Sequence, residues 1–198
     1  DVGMSIISNV APSFTSVVAP DGTEGVPIAF SAAATDPGSA DTLTITWDFG
    51  DSSTAVGPSP THSYDDDGTY TLSVTVTDDD GGFSTQTETV VVGNADPSLA
   101  APSVPATGTE GTVVVMSASA TDVPGDSLTY SWDFGDSSSA TGASVSHSWA
   151  DDGTYTVTVT ATDDDGGSDT ASATIAIVNA DPTITSVGLP TGDEGDTL

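Results

Sequence analysis

Residues 43–82 read LTITWDFGDSSTAVGPSPTHSYDDDGTYTLSVTVTDDDGG, and residues 128–167 read LTYSWDFGDSSSATGASVSHSWADDGTYTVTVTATDDDGG. The two stretches are in register: Trp47 and Trp132, Tyr70 and Tyr155, and Asp78 and Asp163 are each 85 residues apart. A fixed period of this size marks a tandem array of small domains. Within each copy, apolar Leu43, Ile45, Trp47 and Phe49 alternate with Thr44, Thr46 and Asp48, and Tyr70, Leu72, Val74 and Val76 alternate with Thr and Ser. Period two turns one set toward a core and the other toward water, and Thr, Val, Ile and Tyr suit a pleated surface. The expected fold is all-β, with antiparallel sheets that each keep one wet face.

The motifs WDFGDSS (47–53 and 132–138), DDGTYT (66–71 and 151–156) and TDDDGG also carry a resemblance. Together they resemble the polycystic-kidney-disease (PKD) domain, an immunoglobulin-like β-sandwich of large extracellular proteins. The resemblance implies tandem PKD-type sandwiches. Two departures stand out: Ser52 and Ser137 replace a usual glycine, and the family's Asp-rich loop becomes TDPGSADT (35–42) and TDVPGDS (121–127).

Composition narrows the function. The chain has 198 residues, 30 of them acidic, with no Lys or Arg, two His and a formal net charge of −30. Nucleic-acid binding and attachment to an anionic membrane need basic side chains, so both are excluded as expectations. Without Lys or Arg, no salt bridge is expected to hold the fold. Carboxylates that crowd together must then be neutralised by solvent ions, bound metal or a basic partner. There is no cysteine and hence no disulfide. No apolar run is long enough to span a bilayer, and the start at Asp1 rather than Met fits a mature or excised piece.

Three segments open repeats: NVAPSFTSV from Asn9, NADPSLAAPSV from Asn94 and NADPTITSV from Asn179. The expected organisation is a last strand of a preceding repeat over 1–8, repeats over 9–93 and 94–178, and a third repeat opening over 179–198. The joins lack a Gly/Ser linker, which favours a stiff rod. Tyr70 and Tyr155 stand where a sandwich has its tyrosine corner.

Counting strands that alternate up and down assigns loops to poles. The Asn-Ala-Asp-Pro opening, the Asp loop before the Trp strand and the DDDGG loop meet at one pole. In the second repeat they supply Asn94, Asp96, Asp122, Asp126, Asp163, Asp164 and Asp165; in the first, Asn9, Asp36, Asp41, Asp78, Asp79 and Asp80. The Glu-Gly turns fall at the other pole, so Glu24 is expected near Asn94 and Asp96, and Glu110 near Asn179 and Asp181.

Such oxygen-rich poles fit Ca²⁺, which takes six to eight hard oxygen ligands. The resemblance adds that some PKD-like domains bind Ca²⁺ at this pole. A cadherin-like ion between domains, held by Glu110 with Asn179 and Asp181, is the junction version. The plain alternative is that these Asp and Gly residues are solvated turn formers. Adjacent Asp residues of DDDGG point in alternate directions, so not all three ligate through side chains. The Trp and Phe pairs are read as core rather than as a sugar platform, and His62 and His147 as structural. The same acids recur repeat by repeat, which argues against an active site.

The expected function is a non-catalytic extracellular array, a rod, stalk or filament body, whose partners are adjacent repeats and possibly identical chains. The alternative is an adhesion or substrate-binding accessory module contacting protein or polysaccharide, which the resemblance also allows. A third reading takes the acidity as adaptation to high salt.

Overall fold

The computed structural model describes residues 9–38, 41–184 and 186. The expected strand over 1–8 and most of the third repeat opening lie outside these. The described residues contain strands and turns and no helix. The first repeat has strands β1 (Ser13–Val18), β2 (Gly22–Thr23), β3 (Ile28–Ala29), β4 (Ser31–Thr35), β5 (Thr44–Asp48), β6 (Thr54–Val56), β7 (Thr61–His62), β8 (Gly68–Thr77) and β9 (Phe83–Gly93). The second has β10 (Ser98–Leu99), β11 (Thr107–Thr109), β12 (Val114–Ser117), β13 (Ala120–Thr121), β14 (Thr129–Asp133), β15 (Ser139–Thr141), β16 (Ser144–His147), β17 (Gly153–Thr162) and β18 (Ser168–Val178).

Each repeat is a sandwich. A five-stranded sheet, ordered β2-β9-β8-β5-β6 or β11-β18-β17-β14-β15, faces the shorter pairs β1-β4 and β3-β7, or β10-β13 and β12-β16. One feature departs from a purely antiparallel plan. β2 runs parallel to β9, with Gly22 opposite Val92, and β11 runs parallel to β18. After β1 the chain crosses to the other sheet and continues along its edge in the direction that β9 already takes.

Alternation places the core as read. Trp47, Phe49, Leu72, Val74 and Val76 are buried in the first repeat, as are Trp132, Phe134, Val157, Val159 and Ala161 in the second. Ile28, Phe30 and Ala32 face them from the opposing sheet. The indole N–H of Trp47 donates to Gly57 O at 2.8 Å, and that of Trp132 to Gly142 O at 2.9 Å, so neither buried ring strands its donor. Tyr64 and Trp149, from HSY and HSW, are also fully buried; they follow β7 and β16 outside any strand, so alternation does not announce them. The tyrosine corner is present: Tyr70 Oη donates to Asp66 O at 2.8 Å and Tyr155 Oη to Asp151 O at 3.1 Å.

Two histidine–carboxylate contacts qualify the expectation of no salt bridges, each an ion pair only when its imidazole is protonated. Nε2 of His62 lies 2.6 Å from Asp51 Oδ2, and Nε2 of His147 lies 2.7 Å from Asp136 Oδ2. Each imidazole also stacks on a core phenylalanine, with centroids 4.2 Å apart for His62 and Phe49. Burial pushes the Asp51 carboxyl up, but the Ser53 N–H and His62 outweigh it and hold the group below its usual value. The structure gives a reason for the glycine usual at the positions of Ser52 and Ser137, and none for the serines. Their φ angles are 77° and 72°, the left-handed region where glycine is at ease.

Candidate metal centre

The pole of the second repeat is built around Asp163, the first residue of DDDGG. Its side chain is 5% exposed. Oδ1 accepts the N–H of Asp165 at 3.0 Å and of Gly167 at 2.7 Å, while Oδ2 accepts Asn94 Nδ2 at 3.0 Å. These donors, Asn94 foremost, hold the carboxyl below its usual range. Asp163 therefore staples its own loop to the repeat-opening segment. A Cβ on Gly167 would lie 2.4 Å from Asp163 Oδ2, 2.6 Å from Asp96 Oδ1 and 2.7 Å from Asn94 Nδ2. Only glycine leaves room for these three side chains to converge.

The Asp loop before the Trp strand closes over this hub. Carboxylate oxygens of Asp122, Asp126 and Asp163 lie within 4.8 Å of one another, and Asp126 forms a second such trio with Asp164 and Asp165. Asn94 Oδ1, Asp122 Oδ2 and Asp126 Oδ2 are buried without a hydrogen-bond partner. Burial first, and then the negative charges of Glu24, Asp122, Asp164 and Asp163, push the Asp126 carboxyl up to about 6. Asp164 takes a different task, its Oδ1 accepting Ser127 N–H at 2.7 Å. The DDDGG aspartates thus divide their work: Asp163 is the hub, Asp164 pins the neighbouring loop and Asp165 approaches the acidic side chains of the first repeat.

The first repeat repeats the hub. Asn9 Nδ2 lies 3.1 Å from each oxygen of Asp78, and Asp78 Oδ1 accepts the N–H of Asp80 at 3.0 Å and of Gly82 at 2.7 Å. Asn9, Asp36, Asp41 and Asp80 line one cleft of about 390 Å³. Burial, followed by Asp36, pushes the Asp41 carboxyl up. The gathering is looser here: among the described residues, this pole holds no three carboxylates with oxygens within 4.8 Å. Ala11 stands where the second repeat has Asp96, so one oxygen ligand is missing.

At the opposite pole, Glu24 approaches the next repeat's opening segment through its backbone. Oε1 accepts Ala95 N–H, between Asn94 and Asp96, at 2.7 Å. Glu110 accepts Ala180 N–H, between Asn179 and Asp181, at 3.0 Å. Its carboxylate neighbours are Asp151 and Asp152, while the Asn179 and Asp181 side chains are exposed. Sequence reasoning missed Asp66, Asp67, Asp151 and Asp152, which precede the tyrosine corner and carry only the ordinary signature of a turn. The same strand count that placed Glu24 puts that turn beside it.

Arranged in this way, the pole of the second repeat can hold a hard cation on carboxylate and amide oxygens. It offers no nucleophile poised beside a base. Comparison with known proteins finds the same modular unit in other chains. A family model described as "PKD domain" matches residues 9–92 and again 94–177. The chain is 39% identical over 89 residues to a microbial collagenase of Vibrio alginolyticus, covering 44% of this chain and 11% of that protein. The PKD1 domain of Vibrio anguillarum Epp, a solved structure, is 30% identical, with a TM-score of 0.37; the match covers 44% of this chain and all of that one. The insect immune protein hemolin shares the immunoglobulin-like fold at 11% identity and a TM-score of 0.50, over 85% of this chain and 47% of hemolin. With both repeats matched along nearly their whole length, the chain belongs to the PKD domain family, as two tandem members.

Proposed function

We propose that this chain is a segment of a non-catalytic, extracellular array of PKD domains that spaces or joins other parts of a larger assembly, and that Ca²⁺ at the domain poles is part of the fold. The observation that carries the reading is the pole of the second repeat. Three carboxylates share a space of 4.8 Å, and two of them leave a buried oxygen without a partner. In a chain without Lys or Arg, a bound cation is the one neutralising group that also supplies those oxygens with a ligand. An extracellular setting is supported by the collagenase relative, and the abutting repeats support a rod-like role.

The test is thermal unfolding of the chain at about 0.15 M NaCl, where exposed charges are screened beyond about 8 Å. Free Ca²⁺ at about 100 times its dissociation constant adds about 2.7 kcal/mol of stability. At about 4–8 °C per kcal/mol for domains of this size, Tm should rise by roughly 10–20 °C over its value in EDTA. Mg²⁺, which demands a tight octahedron, should not reproduce the rise. An unchanged Tm would leave the aspartates as solvated turn formers.

A second reading is favoured by the collagenase relative: an accessory module that holds a secreted enzyme against insoluble protein or polysaccharide. It predicts retention on a collagen or cellulose matrix and loss of retention when Val56 or Phe83, the two most exposed large apolar side chains of the first repeat's large sheet, is replaced by Ser.

A further inference from the structure

We propose that the junction between the repeats holds a divalent-cation site of its own, built by Glu24, Asp66 and Asp67 of the first repeat and Asp165 of the second. The site adjoins the pole described above, whose second trio also includes Asp165, and it rests on the preceding reading only for the choice of Ca²⁺ as the ion.

The argument starts at Glu24. Its backbone is fixed on both sides: Glu24 N–H donates to Gly93 O at 3.1 Å and Gly25 N–H to Tyr64 O at 2.9 Å. The side chain is 1% exposed, and Oε1 is spent on Ala95 N–H. The other oxygen, Oε2, is buried and has no partner. A carboxylate in that state lacks both water and a donor, which is costly unless a cation completes it. One oxygen from each of Glu24, Asp66, Asp67 and Asp165 lies within 4.8 Å of the others. Asp66 and Asp67 come from the turn that the tyrosine corner fixes, and Asp165 from the loop stapled by Asp163. Burial raises the Glu24 carboxyl, as do the charges of Asp67, Asp165 and Asp66, while the Ala95 N–H lowers it. Four carboxylates with two to four waters complete the six to eight oxygens that Ca²⁺ takes.

The chain supplies its own comparison. Glu110 makes the same contact to the following segment, and Asp151 and Asp152 stand beside it as Asp66 and Asp67 stand beside Glu24. No fourth carboxylate joins them among the described residues, and Glu110 is only half-buried. The covering repeat explains the contrast. A Cβ on Gly25 would meet Val123 Cγ2 of the second repeat at 3.1 Å, whereas one on Gly111 would meet nothing within 4 Å among the described residues. Each repeat therefore carries three ligands at its far pole, and the repeat that follows brings the fourth. Ion binding at this place is coupled to docking of the next domain.

Calorimetric titration of the metal-stripped full chain with CaCl₂ tests the site, using Asp67→Asn in the first repeat, Asp165→Asn in the second, and Asp122→Asn as the control inside the second pole. Circular dichroism in EDTA establishes that each variant folds. Asp67→Asn should bind one ion fewer than the wild-type chain, or bind that ion at least tenfold more weakly, and Asp165→Asn should show the same loss. Asp122→Asn should retain the ion that Asp67→Asn loses. Unchanged stoichiometry and affinity in Asp67→Asn, with Ca²⁺ lost in Asp122→Asn, would overturn the junction site and leave the pole reading standing. A wild-type chain that takes up no Ca²⁺ would overturn both.

Discussion

Replacing Asp126 by Asn should change stability in opposite directions with and without Ca²⁺. In the absence of metal, Asp126 faces Asp122 and Asp163 on one side and Asp164 and Asp165 on the other, all with oxygens within 4.8 Å. One such pair repels by about 3.5 kcal/mol at an effective dielectric near 20. The carboxyl, raised from 3.8 to about 6, is still mostly ionised at neutral pH. A shift of that size corresponds to about 3 kcal/mol, and solvent screening at a half-buried site cuts it to about 1–2 kcal/mol. The amide removes this charge at nearly constant volume. In EDTA the variant should melt roughly 4–16 °C above the wild type, by about 4–8 °C per kcal/mol. In Ca²⁺ the same substitution removes a charged ligand, and each tenfold loss of affinity subtracts about 1.4 kcal/mol from the linked stabilisation. The variant should then melt below the wild type. Differential scanning calorimetry of both proteins in both buffers measures the four values. If Asp126→Asn lowers Tm in EDTA, the carboxylates do not repel one another as described. If it raises Tm equally in both buffers, Asp126 is not a ligand.

Three further predictions concern parts of the same account. Without metal, stability should rise as pH falls from 7 through about 6, because folded Asp126 then binds a proton that the unfolded chain does not take up until about 3.8. It should fall again below about pH 4, where Asp51 and Asp136, both held below their usual values by Ser53 and Ser138 and then by His62 and His147, lose their ionised form; Tm in EDTA across pH 3–8 checks both limbs. Gly167→Ala should abolish Ca²⁺ stabilisation of the second repeat, since its Cβ would lie 2.4 Å from Asp163 Oδ2, and a Ca²⁺-dependent Tm equal to wild type would contradict the packing. Ser137→Gly should raise Tm by a few degrees, because the left-handed φ of 72° costs a side-chain-bearing residue about 1–2 kcal/mol, of which glycine's extra chain entropy returns about half.

Much of the fold was legible because the sheet core is written in period two. Trp47, Phe49, Leu72 and Val74 could be assigned inward from alternation alone, and the equivalents 85 residues later removed doubt about register. Pole assignment followed from counting strands, and it correctly brought Asn94, Asp122, Asp126 and Asp163 together. What escaped the sequence lies in contacts that depend on distance across a hairpin or between domains. His62, on a strand of the smaller sheet, meets Asp51 of the β5–β6 turn eleven positions away, and nothing in their spacing announces it. Asp66 and Asp67 carry the ordinary signature of a turn. Their second role appears only when Asp165 of the next repeat arrives beside them, because tight docking depends on Gly25 and Val123 at the surface.

Rigidity under Ca²⁺ can be measured directly because the chain has no cysteine of its own. Val56, 73% exposed, and Thr141, its exposed counterpart in the second repeat, can each be replaced by Cys and spin-labelled. Pulsed dipolar spectroscopy then reports the distance distribution between the two repeats. With millimolar Ca²⁺ a single narrow distribution is expected, broadening in EDTA and remaining broad when Mg²⁺ replaces Ca²⁺. Equal widths in EDTA and Ca²⁺ would contradict a cation-stiffened array.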